Sequence, residues 1–165
     1  MTFQQLPTTQ RGDAGEAIAD SYFAAQGWHV YSPPIGPAHP IDRVLMTEHG
    51  VFAVDVKTYP RQYSRPCTGI DTGDHEKYLT IEATGLPVVL FFIDAFEGCI
   101  YSGRLSRLKA AAKHHSGKTY YPLQLMTFTR RLTAKELSDL AQPQDSRYQL
   151  TRPFFAINKP ATDAD

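Results

Sequence analysis

The segment IDRVLMTEHGVFAVDVK, residues 41–57, constrains this chain more than any other stretch. β-Branched and aromatic residues fill two arms, 41–46 and 51–58, and a short loop, 47–50, ends in glycine between them. That pattern predicts a β-hairpin. With a loop of this length, Met46 faces Val51, Val44 faces Ala53 and Asp42 faces Asp55. Side chains alternate along a strand, so Asp42, Asp55 and Lys57 share one face.

Directly opposed carboxylates lie about 5 Å apart at Cβ and repel one another. A cation between them removes that penalty, and a hard divalent ion such as Mg²⁺ takes oxygen donors of this kind. Lys57 stands two residues beyond Asp55 and brings an ammonium to the same place. Two acids, a lysine and a metal suit attack by water on a phosphodiester. The plainer alternative is a surface hairpin with a solvated polar face. Residues 51–54, Val-Phe-Ala-Val, are apolar on both faces, which marks a covered central strand and favours the site.

At 165 residues the length fits one domain, residues 1–160, with a short disordered tail at 161–165. No apolar run is long enough to cross a membrane, and the opening residues lack a signal-peptide core. Cys67 and Cys99 form neither a disulfide framework nor a zinc site, so reduced thiols in a cytoplasmic protein are expected. Net charge is zero, but its distribution is uneven. Residues 98–135 contain no Asp or Glu, whereas the first 57 residues carry six acids against three bases. That split suits a cation site in one place and a polyanion track in another.

Before the hairpin, 12–26 reads as a helix with Asp13 as N-cap and Glu16 three residues later. Ala14, Ala17, Ile18, Ser21, Tyr22 and Ala25 form its inward stripe, and Gly12 and Gly15 leave room for close approach. Glu16 has two readings, a capping acid, which the spacing favours, and a third carboxylate aimed at the metal. Residues 28–31 form a short strand, and 32–40 form a proline-rich loop. Residues 59–73 read as another loop, in which Arg61 and Gln62 can face substrate.

A helix at 74–85 then leads to a buried strand at 87–94, a crossover onto the same sheet. His75 and Lys77, in its first turn, are either solvated or phosphate contacts. Beyond a strand at 98–103, residues 104–115 read as an amphipathic helix. Its outward bases include Arg104, Arg107, Lys109 and Lys113, a candidate phosphate-binding track. Residues 119–129 form a strand with Pro122 at an edge or break, and Thr133 with Glu136 caps a last helix at 134–141. Residues 147–160 add a docked strand through Phe154 and Phe155.

The helix with Gly12, Gly15 and Glu16, Pro-Ile-Asp at 40–42, Asp-Val-Lys at 55–57, and the helix and strand that follow resemble the PD-(D/E)XK nuclease superfamily. The pattern GE…IDRVLM…GVFAVDVKTY is similar to its nuclease-related (NERD-like) and Holliday-junction-resolvase-like branches. The resemblance implies a restriction-endonuclease-like αβββαβ core, a mixed central sheet flanked by helices, over about 12–94, with a basic α/β extension over 98–158. It implies metal ligation by Asp42 and Asp55, helped by Glu16 and the Val56 carbonyl, and a Lys57 that orients or activates water. Pro-Ile-Asp replaces Pro-Asp, and Asp55 stands where Glu is common. Many related nucleases pair up to cut both strands, so a homodimer is compatible with it.

The leading expectation is therefore a Mg²⁺- or Mn²⁺-dependent deoxyribonuclease acting on duplex or branched DNA. The alternative is an inactive nuclease-fold module that binds nucleic acid or inhibits through protein contact, which the neutral net charge keeps open. A serine or cysteine hydrolase finds no support, because there is no G-x-S-x-G and neither Cys has a nucleophile context.

Overall fold

The computed structural model describes residues 7–33, 39–62 and 66–141. In chain order its elements are α1 (Pro7–Ala25), β1 (His29–Tyr31), β2 (Arg43–Thr47), β3 (Gly50–Tyr59), β4 (Cys67–Asp71), α2 (Thr72–Ala83), β5 (Val88–Asp94), β6 (Cys99–Arg104), α3 (Leu105–Leu108), β7 (Lys113–His115), β8 (Lys118–Pro122), β9 (Thr127–Arg131) and α4 (Ala134–Ala141). The central sheet has the order β1-β2-β3-β5-β6-β9, and β4-β8-β7 forms a smaller sheet. Among the described residues only the β3–β5 pair is parallel, since α2 carries the chain back across the sheet between them. The result is a mixed α/β fold containing the expected αβββαβ order, with β4 added between β3 and α2.

From residue 43 to 54 the hairpin register is the expected one, Met46 with Val51 and Val44 with Ala53. The ladder ends at Arg43–Val54, however, and the expected Asp42–Asp55 pair is not part of it: the Asp42 N–H turns to the Val54 carbonyl instead. The turn is tighter than expected, because Thr47 pairs with Gly50 and leaves only Glu48 and His49 between the strands. Thr47 Oγ1 closes it, accepting from the His49 N–H at 3.0 Å and donating to the Gly50 carbonyl at 3.2 Å.

Each face of the sheet carries its own core. On one, Leu45, Val54, Val56, Phe91 and Ile100 pack against Ile18, Ala19 and Phe23 of α1 and Leu137 and Leu140 of α4. On the other, Ala53, Leu90 and Phe92 pack against Tyr78 of α2, Leu105 and Leu108 of α3, and Ile70 and Tyr121 of the small sheet. Asp55 and Lys57 alternate with Val54 and Val56, so they share the second face with α2 and the small sheet.

Several sequence expectations are corrected. α1 begins at Pro7, so Asp13 and Glu16 lie inside the helix and cap nothing. Its buried stripe runs through Gly15, Ile18, Ala19 and Phe23, leaving Ala17, Ser21 and Ala25 exposed, because Phe23 anchors the helix on the sheet. The span 59–73 contains strand β4, which alternates buried Thr68 and Ile70 with more exposed neighbours. The expected helix over 104–115 ends after one turn. A 3-10 turn at Lys109–Ala111 follows, and then β7 pairs with β8. Ser116 and Gly117, at φ 50° and 74°, make the two-residue hairpin turn that draws β7 away from helix. The expected strand over 119–129 is two strands in different sheets, separated by a 3-10 turn at Leu123–Leu125. The expected strand at 147–160 and the tail at 161–165 lie outside the described residues.

Candidate active site

The site forms where β2 ends and β3 continues. The last registered pair is Arg43 with Val54, and the Asp42 N–H, just outside the strand, also donates to the Val54 carbonyl at 3.0 Å. At the next position Asp42 supplies its side chain instead, and Oδ2 accepts from the Val56 N–H at 2.7 Å. The N–H and C=O of one strand residue leave on the same side. The Val56 carbonyl therefore faces the same gap beyond the end of β2. Lys57 Nζ donates to Asp55 Oδ1 at 3.1 Å and lies 3.0 Å from Oδ2, so the two side chains form a close ion pair.

Burial governs the electrostatics. Asp55 is 3% exposed, and its pKa rises to about 7. Desolvation is the main cause; Lys57 opposes it, and the neighbouring Asp42 charge adds to it. Burial pulls the Lys57 ammonium down, but Asp55 and Asp42 together hold it above its ordinary value. The Tyr78 hydroxyl of α2 also borders Asp55 and favours its charged form. Desolvation and Asp55 keep that phenol protonated, so it serves as a donor. Asp74 of α2 closes the far side, 4.0 Å from Lys57 Nζ.

The donor set suits a hard divalent cation. Asp55 Oδ2 is fully buried and has no aligned hydrogen bond, an acceptor that an ion would satisfy. Asp42, the Val56 carbonyl and a phosphate oxygen supply ligands of the same chemistry. Among the described residues no three His, Cys, Asp or Glu stand close enough to hold a metal by themselves. Arg43 points to the α1 face, where it pairs with Glu16 at 3.1 Å while Nε binds Asp20 at 2.8 Å. Glu16 remains near enough to Asp42 that burial and the Asp42 charge raise its pKa. Gly15, one residue earlier, makes this docking close: a Cβ there would fall 1.8 Å from Thr58 Oγ1.

The expected phosphate contacts do not form one track. His75 is buried, with Nδ1 2.6 Å from the Tyr121 hydroxyl and its ring against His114. Lys77 pairs with Asp74 at 3.1 Å beside Lys57. Arg104 lies over the Phe52 ring and, with Arg107, borders a groove on the opposite face of the sheet from Asp55. Lys109 pairs with Glu82 at 2.9 Å on α2, and Lys113 is exposed on the small sheet. Arg61 is pinned by the buried Asp94 and by the Tyr101 hydroxyl, so it anchors the loop after β3.

Sequence reasoning missed Arg43, Tyr78 and Tyr121. Arg43 carried a readable signal, since the residue after Asp42 must point to the opposite face. Tyr78 reaches Asp55, and Tyr121 comes near enough to feel its charge, only through tertiary packing of α2 and β8.

No family model and no curated protein matches the sequence. Among solved structures, Archaeoglobus fulgidus Hjc, a Holliday junction resolvase from an archaeal hyperthermophile, is similar over 72% of this chain and 91% of its own, at TM-score 0.53 and 10% identity. D212, a nuclease from a fusselovirus, aligns over 85% of this chain and 94% of its own, at TM-score 0.45 and 14% identity. The architecture is thus that of the resolvase-type, restriction-endonuclease-like fold, the fold of the PD-(D/E)XK superfamily that the sequence motifs resemble.

Proposed function

We propose that this protein is a Mg²⁺- or Mn²⁺-dependent nuclease that hydrolyses DNA phosphodiester bonds. The observation that carries the reading is the buried Asp55–Lys57 pair, whose Oδ2 meets the lysine without an aligned hydrogen bond, set beside Asp42 at the open end of β2. A divalent ion bound there would polarise the scissile phosphate and lower the pKa of a bound water. Asp42 and Asp55 would hold the ion, with the Val56 carbonyl as a third donor. Lys57 orients the attacking water and offsets charge on the phosphate. Glu16 of the neighbouring helix, paired with Arg43, would add negative charge beside Asp42. The fold of the resolvase Hjc and its action on junctions support a DNA substrate.

The test is cleavage of linear, circular, branched and single-stranded DNA with Mg²⁺ or Mn²⁺. EDTA is expected to stop it. Asp55→Ala and Lys57→Ala are each expected to abolish cleavage while the circular dichroism spectrum stays unchanged. Metal-dependent cleavage that survives both substitutions overturns the assignment.

A further inference from the structure

The small sheet is additional to the αβββαβ core, and its inner side is accounted for. Thr68 and Ile70 of β4 and Thr119 and Tyr121 of β8 are buried against α2 and the central sheet. Its outer side presents different chemistry. Tyr120 faces Gly69 across the β4–β8 pair, and its ring occupies the space a side chain would take: a Cβ on Gly69 would meet Tyr120 Cδ1 at 2.8 Å. The glycine thus leaves the ring spread over the strand and only half-buried.

Around that ring lies a concavity of about 540 Å³, bordered by Gln62, Lys113, His115, Tyr120 and Gln124. Its charged group is Lys113, with no acid in the lining, and Asp71 on the same sheet is taken by Lys118 at 2.7 Å. The surface is also connected to the candidate catalytic face. His114 of β7 packs on His75 of α2, His75 bonds Tyr121, and Tyr121 feels the charge of Asp55.

A half-buried aromatic ring, a flanking lysine and imidazole, and two carboxamides recognise a nucleobase with its phosphates. Paired bases hide their faces in the duplex stack, so the fitting substrate is an unpaired nucleotide. We propose that the outer face of the β4-β8-β7 sheet is a stacking platform for an unpaired nucleotide of a DNA strand. The base lies on Tyr120, and the adjoining phosphates lie beside Lys113 and His115. This rests on the nuclease reading only for the identity of the polymer, and it narrows the substrate to DNA with a single-stranded portion.

The experiment is fluorescence anisotropy with a fluorescein-labelled single-stranded oligonucleotide and the matching duplex, both in EDTA. Tyr120→Leu is expected to weaken single-strand binding about fivefold to hundredfold, with Tyr120→Trp retaining it and duplex binding unchanged. The double variant Lys113→Ala, His115→Ala alters only exposed side chains, so it decides the matter should Tyr120→Leu fail to fold. It is expected to weaken single-strand binding and flatten its salt dependence. Unchanged single-strand affinity in the variants, or equal loss for both DNA forms, overturns the platform. Single-strand binding that depends on Tyr120 in a protein that cleaves nothing would leave the platform standing and sink the nuclease reading.

Discussion

Titration of Asp55 in metal-free protein provides a test of the site that needs no substrate. Burial raises its pKa from 3.8 to about 7. Between those values the folded protein holds a proton that the unfolded chain has released, so stability falls as pH rises. A shift of about 3 units, at ~1.4 kcal/mol per unit, sets about 4 kcal/mol as the upper limit of that loss. His75 acts in the opposite sense. Burial and His114 lower its pKa, so its contribution improves as pH rises through the normal histidine range. The informative quantity is therefore the difference between the wild type and Asp55→Asn, in which only the Asp55 contribution is removed.

Urea unfolding in EDTA at intervals from pH 5 to pH 8 measures it (~1.4 kcal/mol per unit of pH in the steep region). The wild type is expected to lose about 2–3 kcal/mol relative to Asp55→Asn across that range. Mn²⁺ at about 100 times its dissociation constant is then expected to restore about 2.7 kcal/mol at pH 8 in the wild type and little in the variant. A difference that is flat, or that rises with pH, would refute the claim that Asp55 is an inadequately compensated buried charge.

Three further outcomes follow from other contacts. Tyr78→Phe removes a donor from Asp55 without removing the ring, and it is expected to weaken Mn²⁺ binding about tenfold or more by calorimetry while the melting curve shifts little. Gly15→Ala drives a methyl group into Thr58 and is expected to destabilise the fold by about 1–3 kcal/mol in urea, with Thr58→Ala in the same chain recovering part of the loss. Glu136 is held at a pKa of about 2, mainly by Arg130 and also by Thr133. Its stabilisation is full above the normal glutamate range and fades as pH falls toward that value. Glu136→Ala is therefore expected to cost about 1–2 kcal/mol at neutral pH and almost nothing near pH 2.

Where folding information is local, the sequence was legible. The hairpin register followed from alternation, and the structure has the same pairing from residue 43 to 54. The crossover to β5 followed from the spacing of a helix between two apolar strands. The Thr133–Glu136 capping box is present: the Thr133 N–H donates to Glu136 at 2.8 Å, and the Glu136 N–H donates to Thr133 Oγ1 at 3.2 Å. What failed was non-local. β4 becomes a strand only by pairing with β8, some fifty residues later. Residues 104–115 have helical periodicity, but Ser116-Gly117 makes the last three of them a hairpin arm. That dipeptide was the readable signal, and amphipathic spacing outweighed it.

The chemistry proposed here depends on strand register more than on the identity of any one residue. Asp42 and Arg43 are neighbours that face opposite sides of the sheet: one caps the open edge beside Asp55, the other holds Glu16 and Asp20 on α1. A slip of one residue would exchange them, placing a guanidinium against Asp55 and a carboxylate against Glu16. The apolar alternation on both sides of β3 forbids that slip, because it would also turn Leu45 out of the α1 core. Hydrophobic burial thus sets which charged groups meet. β3 outlasts β2 at the edge, which leaves the Val56 carbonyl facing a gap that already holds two acids and a lysine.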